Sequence, residues 1–385
     1  MSKILKNYRF FCAVAVLTGT IIGAGTFGLP FVMAQAGFGL GLFYLIILTG
    51  VVILIHLSYG EVVLRTQHPH RLVGYAEKYL GRGAKIFATI VALFEYYGSL
   101  LAYIILGGEF LRIILSRFFG GSETLWVLVF FALGMLAVLF GLKFISGSEL
   151  IMTLIFVGTM GLLVFKGWPL INANNFSGFN GSNWLLPYGV MLFALAGSVA
   201  VPEMRQILRG QEKNLKTAIF YGTVISAVFY LIFVWAVVGI SGAATSEEAI
   251  SGLVPHLGAW VIQIGAIFGL LAVYTSFIVV GHSLRNIYRD DYHLSEWPAF
   301  FLTCAIPLTA YLAGIKSFIF VIGFVGAIMA GLDGILTMAI YIKAKKNGDR
   351  WPEYSLSGAK TLGLFLIFIF TLGIIVNLIS FLTSR

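Results

Sequence analysis

The chain has 385 residues, of which 59% are hydrophobic and 11% are charged, and its formal net charge is +9. A typical soluble domain carries about 25% charged residues, so a soluble protein could not bury this much apolar surface. Continuous apolar runs of about 20 residues predict an all-α polytopic membrane protein rather than a transmembrane β-barrel. The net charge does not predict a nucleic-acid partner, because the basic residues fall in short loops.

Eleven membrane spans are predicted from apolar run length and loop punctuation. They cover residues 10–36, 38–64, 84–115, 124–142, 147–167, 184–207, 217–241, 257–285, 296–314, 317–342 and 360–382. The fourth and fifth spans are the least distinct, because only residues 143–146 separate them. The basic N-terminus is similar to the start of a signal peptide, but the first apolar run is too long and too rich in glycine for cleavage. We therefore expect the first span to be retained.

The distribution of Lys and Arg predicts that the N-terminus lies inside and the C-terminus outside. With that orientation 20 of the 25 basic residues lie on the inner side. The outer side keeps Arg112, Arg117, Lys166, Lys316 and Arg385. A missed span would scramble this alternation, so the bias also supports the span count. We expect an integral protein of the cytoplasmic membrane.

The first span contains a glycine-rich interruption, Gly19-Thr-Ile-Ile-Gly-Ala-Gly-Thr-Phe-Gly-Leu-Pro30. A membrane helix normally satisfies its own backbone hydrogen bonds, because lipid offers no water to replace them. The segment is therefore either a close helix-packing surface of the small-xxx-small type or a stretch of unwound backbone. Unwinding would expose N–H and C=O groups to a ligand in the middle of the membrane.

The sixth span contains a second interruption, Phe193-Ala-Leu-Ala-Gly-Ser-Val-Ala-Val-Pro-Glu203. If residues 10–167 form one five-helix repeat, residues 184–342 form a second, and the odd number of helices inverts it. Residues 360–382 then add an eleventh helix to a single domain, 1–385. Interrupted helices at corresponding positions of two inverted halves indicate a binding site at the midplane. Two breaks in register favour unwound helices over packing surfaces.

These motifs resemble the amino acid transporters of the amino acid–polyamine–cation superfamily, which share a LeuT-like 5+5 inverted repeat. The chain is most similar to the amino acid/auxin permease branch and to the bacterial aromatic or hydroxy amino acid permease branch. The resemblance covers essentially the whole chain. It rests on the two interruptions and on three further segments, which are Ala34-Gln-Ala-Gly37, Ala102-Tyr-Ile-Ile-Leu-Gly-Gly-Glu109 and Thr275-Ser-Phe277.

The resemblance implies an amino acid bound between the broken first and sixth helices, in spans 10–36 and 184–207. Its carboxylate would meet free amides around Ala24, Gly25 and Thr26, which is reasonable because an exposed helix N-terminus attracts anions. Its ammonium group would meet backbone carbonyls. The residues concerned are Ile21, Phe193, Ala194 and Ala196. Tyr103 could donate its hydroxyl to the carboxylate or could simply pack. The small residues at Ala196 and Gly197 favour neutral, and more weakly aromatic, substrates.

The resemblance also implies a sodium site. Its oxygen ligands would be the carbonyls of Gly19, Ile22 and Ala272 and the hydroxyls of Thr275 and Ser276. The alternative is that the two hydroxyls only bond back to their own helix, which is common in membrane helices. Some relatives carry a proton on a lysine in the fifth span, but this chain has no lysine within 147–165. Coupling to sodium and coupling to protons therefore both remain open, and no other cofactor is expected.

Ionisable groups inside the spans are candidates for function. His282 lies on the same helix face as Thr275, about 10 Å towards the inner side, where it could relay a proton or simply pack. Glu203 lies near Arg205 and suits an inner-gate ion pair. Glu95 and Asp333 lie deeper, without an evident partner.

The predicted function is a symporter that imports neutral amino acids by alternating access. A membrane enzyme would show clustered His, Asp, Glu or Cys at catalytic or metal spacing, and we find no such pattern. A channel would show a filter motif or charged rings, and an ATP-driven pump would show a Walker motif. A non-transporting amino acid sensor of the same fold remains an alternative. The sequence does not predict the oligomeric state or a protein partner.

Overall fold

A computed structural model describes residues 3–68, 70–140 and 149–383. The described residues are predominantly helical. The helices are α1 Lys3–Ile21, α2 Gly25–Ala36, α3 Phe38–Arg65, α4 Leu72–Leu80, α5 Arg82–Phe119, α6 Glu123–Phe140, α7 Glu149–Gly167, α8 Leu186–Leu195, α9 Val201–Ile207, α10 Leu215–Ser241, α11 Val254–Leu257, α12 Ala259–Asn286, α13 Glu296–Leu312, α14 Phe318–Phe324, α15 Gly331–Asn347 and α16 Ala359–Thr383. Two π-helical segments, Ile287–Asp291 and Val325–Ala330, continue α12 and join α14 to α15.

Seven helical stretches in this part of the chain are long and apolar enough to cross a membrane. An eighth is formed when the bent pair in residues 7–36 is counted as one span. The polytopic all-α architecture is thus confirmed, while the total of eleven spans remains a prediction. The predicted boundary between the fourth and fifth spans, including 143–146, lies outside the described residues.

The structure contains helical segments at the predicted inner side that the apolar pattern did not predict. Residues 72–80, assigned to a loop, form the surface helix α4, and α5 begins at Arg82 and runs for 38 residues. Helix α4 packs against both α5 and α15. The sequence of α4 mixes polar and apolar residues, so it was interpreted as a loop. Membrane-spanning helices are recognised by continuous apolarity, and α4 lies at the edge of the apolar region.

The loop between α7 and α8, which the sequence predicts to lie outside, is held in place by backbone hydrogen bonds. The amide of Asn172 donates to the carbonyl of Gly239 at 2.9 Å, and the amide of Asn180 donates to the carbonyl of Ala36 at 3.2 Å. The loop therefore joins the outer ends of α2 and α10. Below it, α2 packs on α8, and both helices contact α10.

Candidate substrate and ion site

The first break separates α1 from α2 at residues 22–24, where the helix axis bends by 57°. The amide of Ile22 still donates to Thr18, and the next recorded bond is from the Thr26 amide to the Gly23 carbonyl. Within the part of the chain that the structure describes, the amides of Gly23, Ala24 and Gly25 have no recorded backbone acceptor. These N–H groups form the positive N-terminal end of α2, which is suited to a carboxylate.

The second break separates α8 from α9. Helix α8 ends at Leu195, Ala196 is extended, and a single 3₁₀ turn precedes α9. The last carbonyls of α8 form the negative end of a helix dipole, which favours a cation such as an ammonium group. Ala196 and Val199 are exposed, whereas Gly197 is buried. Both interruptions predicted from the sequence are therefore present in the structure.

The two breaks touch each other at Gly25 and Ala194. A Cβ atom added to Gly25 would lie 2.7 Å from the Cα atom of Ala194. Real Cβ atoms do not approach backbone this closely, so any larger residue would push α2 and α8 apart. By contrast, a Cβ atom added to Gly23 would meet nothing within 4 Å. One glycine of the motif thus permits close approach of the two helices, and its neighbour has open space.

Tyr230 on α10 bridges the two breaks. Its hydroxyl group is 2.5 Å from the carbonyl oxygen of Ile21 and 2.8 Å from that of Ala194, and the residue is fully buried. A phenol has only one proton to donate, so at any moment one of these buried carbonyls can accept from another donor. Both carbonyls belong to the set that the resemblance assigned to an ammonium group. Tyr230 was not predicted as a site residue, because no sequence motif surrounds it within its apolar helix.

Aromatic side chains pack beside the break region. The rings of Phe27 and Phe110 meet edge to face at 4.9 Å, and Phe233 meets Phe27 at 6.5 Å. Thr26 is buried next to the Tyr230 hydroxyl. Phe193 is half-buried, and its carbonyl accepts from the Ala196 amide at 3.3 Å.

Tyr103 lies on α5 as part of a polar stripe with Ser99 and Glu95. These positions are four residues apart, so they share one helix face. The Tyr103 hydroxyl is within hydrogen-bonding reach of Ser99. The structure thus gives Tyr103 a polar neighbour in its own helix, and its contact with a substrate carboxylate remains a prediction.

The predicted sodium ligands on α12 bond within their own helix. The hydroxyl of Thr275 donates to the Ala272 carbonyl at 3.0 Å, and the hydroxyl of Ser276 donates to the same carbonyl at 2.9 Å. This is the back-bonding alternative weighed from the sequence. Each hydroxyl oxygen keeps lone pairs that an ion could use, so the set formed with Gly19 and Ile22 on the first span remains a prediction.

The predicted gating residues lie near the side that the distribution of basic residues predicts to be the inner one. Among the described residues no ion pair includes Glu203, whereas Arg205 donates to the carbonyls of Val63 at 2.5 Å and Thr66 at 2.8 Å. Arg205 therefore ties α9 to the end of α3. His282 lies close to Glu296, which also pairs with Arg285. The gating and relay roles of Glu203 and His282 remain predictions.

A second polar centre that the sequence analysis missed is the inner network around Glu61 on α3. The Glu61 side chain is fully buried, and its donors come from α3, α15 and the segment after α15. They are Arg65 at 2.8 Å, Lys345 at 2.9 Å, Tyr341 at 3.2 Å, Ser355 at 3.2 Å and the amide of Leu356 at 2.8 Å. Glu61 was overlooked because it falls at a predicted span end, where a solvated carboxylate is expected.

Comparison with known proteins agrees with this architecture. Residues 6–380 match the tryptophan/tyrosine permease family. The fold is similar to that of MhsT in complex with L-phenylalanine, with a TM-score of 0.64, 15% identity, and 99% and 98% of the two chains covered. It is also similar to the inward-facing conformation of Mhp1, with a TM-score of 0.65, 14% identity, and 87% and 76% covered.

Curated relatives match along almost their whole length. Glutamine transporter 2 of Aliivibrio fischeri is 22% identical over 378 residues, which cover 94% of this chain and 97% of the relative. Tyrosine-specific transport system 1 of Haemophilus influenzae is 25% identical over 390 residues, with 95% of each chain covered.

The broken helices and these matches define an integral membrane protein with a LeuT-like fold, the class that the sequence analysis predicted. The chain belongs to the tryptophan/tyrosine permease family. This assignment confirms the predicted resemblance at the level of the family, and it places the chain among permeases rather than enzymes.

Proposed function

We propose that this protein is a symporter that imports neutral amino acids, with a preference for aromatic ones, by alternating access. The observation that carries the proposal is the meeting of the two helix breaks, where the start of α2 at Gly25 lies against Ala194 near the end of α8. The family and the named relatives, which include tyrosine and glutamine transporters, support the same class of substrate.

The binding mode follows from the two helix ends. The substrate carboxylate accepts hydrogen bonds from the amides of Ala24 and Gly25, where the dipole of α2 adds attraction. The ammonium group donates to the carbonyls at the end of α8, near Ala194 and Ala196. No Lys or Arg side chain lies within either break, which suits a zwitterion whose own charges are complementary to the two helix ends. The side chain then extends towards the aromatic rings around Phe27.

The N-terminus lies inside, as the distribution of basic residues supports. In the inward-closed arrangement Arg205 and the inner network hold α9, α3 and α15 together. Opening the inner side requires these contacts to separate, and the coupling ion, sodium or a proton, biases that step. The differential affinity of the ion for the two states sets how far it can shift the equilibrium.

Uptake by purified protein in liposomes tests the proposal. Labelled L-tryptophan, L-tyrosine and L-glutamine are supplied under an inward proton gradient, an inward sodium gradient or no gradient, with empty liposomes as the control. We expect uptake of at least one of the three amino acids above the empty-liposome level, increased by one of the two gradients.

Exchange of external labelled substrate for unlabelled internal substrate provides a second readout, because exchange needs no net ion movement. Absence of both uptake and exchange for all the neutral amino acids would contradict the proposal. Saturable binding without either movement would instead support the sensor alternative.

A further inference from the structure

Two carboxyl side chains meet inside the membrane region, Glu95 on α5 and Asp333 on α15. They are close enough to share a hydrogen bond. Asp333 lies near the midpoint of the 30-residue span Phe318–Asn347, far from either membrane surface. One of its oxygens, Oδ1, is buried with no hydrogen-bond partner among the described residues. A buried polar atom without a partner costs about 1–3 kcal/mol, so such atoms are uncommon in folded proteins.

Within the described part of the chain, no cation forms an ion pair with either carboxyl group. None of the ion pairs formed by the described residues includes Glu95 or Asp333. Two negative charges about 4 Å apart repel by about 4 kcal/mol even at an effective dielectric constant of 20. Two carboxyl groups at hydrogen-bonding separation therefore hold at least one proton between them, with one O–H donating to the other carboxylate.

The titratable groups around the pair are mostly tyrosines. Tyr59 on α3 and Tyr96 and Tyr103 on α5 interact electrostatically with one or both carboxyl groups. Tyr75 on α4 interacts with Tyr59, and Arg71 interacts with Tyr96. Helix α14 and the π-helical segment before α15 carry no titratable side chain, and α16 carries only Lys360. The titratable groups on α12, and Glu296 on α13, contact residues other than Glu95 and Asp333. Tyr274 donates to Leu133, and Arg285 and His282 face Glu296.

The pair is linked to the break region in two ways. Along α5, Glu95, Ser99 and Tyr103 lie on one helix face, and Tyr103 is the residue that the resemblance assigns to the substrate carboxylate. The second connection is the π-helical segment that leads directly into the turn carrying Asp333. A Cβ atom on Gly326 of that segment would lie 1.8 Å from the carbonyl oxygen of Gly189 on α8. Helix α8 ends at the second break, so the segment that leads into Asp333 packs directly against the helix of that break.

We propose that Glu95 and Asp333 form a proton-binding site that couples proton entry to amino acid transport. The proposal rests on the transport function proposed above. The pair takes one proton from the outer solution and holds it in the short carboxyl contact. When the inner side opens, water reaches Asp333, the contact separates, and the proton leaves to the inner solution. No bond other than the O–H bond forms or breaks.

A proton fits this site better than a sodium ion. Carboxyl oxygens within hydrogen-bonding reach of each other are bridged by a proton, whereas a sodium ion between them would hold them further apart and would need additional oxygen ligands. π-helical turns within membrane helices are frequent at functional sites, which agrees with a site at this position.

The test measures internal pH with a trapped dye while substrate is added to proteoliposomes, in parallel with substrate exchange. The variants are Glu95→Gln and Asp333→Asn. Glu109→Gln is the matched control, because Glu109 lies on the same helix but pairs with Arg112 near the outer end. We expect substrate-driven acidification in the wild type and the control, and a reduction of about tenfold or more in both variants. Exchange should persist in all four proteins.

The outcomes separate this proposal from the transport proposal. Substrate-driven acidification at the wild-type rate in Glu95→Gln and Asp333→Asn would overturn the proton site while leaving transport intact. Acidification absent from the wild type, with exchange present and uptake driven by sodium, would overturn it as well. Loss of exchange in the wild type itself would contradict the transport function. A variant that has lost exchange is replaced by Glu95→Asp or Asp333→Glu, which should restore acidification in part.

Discussion

At the two helix breaks, backbone groups meet without any charged side chain, whereas at the inner end of α3 the buried carboxylate of Glu61 is surrounded by two cations and three further donors. The two regions differ in their depth in the membrane and in the role that we propose for each. A site that must bind and release a zwitterion uses fixed dipoles, because permanent charges at mid-membrane are costly to leave unpaired. The contact around Glu61, which we propose closes the inner side, uses charges that water can solvate when the contact opens.

The largest expected effect comes from the inner network. Glu61→Gln leaves Arg65 and Lys345 without their carboxylate, and breaking a buried ion pair costs about 3–5 kcal/mol. We expect a clear fall in the midpoint of thermal unfolding, measured by tryptophan fluorescence in detergent. Glu77→Gln is the control, because Glu77 pairs with Lys85 where both side chains are about half exposed. Equal midpoints for the two variants would show that Glu61 does not stabilise the inner side.

The next largest effect is expected at Gly25, and Gly23 in the same break serves as its control. Gly25→Ala places a Cβ atom against the backbone of Ala194, and forced overpacking of this kind costs about 1–3 kcal/mol. We expect a loss of uptake with little loss of folded protein, because α2 and α8 separate by a small distance. Gly23→Ala meets open space and should transport at a rate near that of the wild type. Similar uptake by the two variants would contradict the close contact between the breaks.

Tyr230→Phe tests whether the Tyr230 hydroxyl group positions the backbone carbonyls at the two breaks. The substitution keeps the ring and removes the only side-chain donor that the described residues offer to the carbonyls of Ile21 and Ala194. Leaving a buried acceptor unsatisfied costs about 1–3 kcal/mol. We expect a higher KM for uptake, because the two carbonyls lose their fixed positions. Tyr274→Phe, which loses a bond to the Leu133 carbonyl on α6, should leave the KM unchanged.

The smallest effect lies at the inner surface, where Asp349 contacts Lys78 and the Gln67 amide. The hydrogen bond from Lys78 is the main cause that lowers the pKa of Asp349. A carboxyl group whose pKa is lowered by folding stabilises the folded state at pH values above its ordinary pKa of about 3.9. This stabilisation is lost as the pH falls through the lowered pKa of the folded state. The stability difference between the wild type and Asp349→Asn should therefore be constant near neutral pH and shrink below about pH 4. A difference that grows on acidification would contradict this assignment.

The positions of the two breaks could be predicted because glycine and proline mark them locally. The apolar runs likewise gave the helices, and the motif Gly19 to Pro30 carried the family resemblance. Tyr230 could not be found in this way, because a tyrosine inside an apolar helix looks the same whether it packs or bridges two distant carbonyls. The same holds for Glu61, and for Glu95 and Asp333, whose partners lie on other helices. Helix contacts across the fold decide these roles, and no local pattern reports them.

A structure determined with bound L-tryptophan or L-tyrosine tests the central claim most directly. The account predicts that the substrate carboxylate lies within hydrogen-bonding distance of the Ala24 and Gly25 amides, with the ammonium group at the carbonyls that end α8. A substrate bound away from the breaks, or one whose carboxylate pairs with a Lys or Arg side chain, would contradict it.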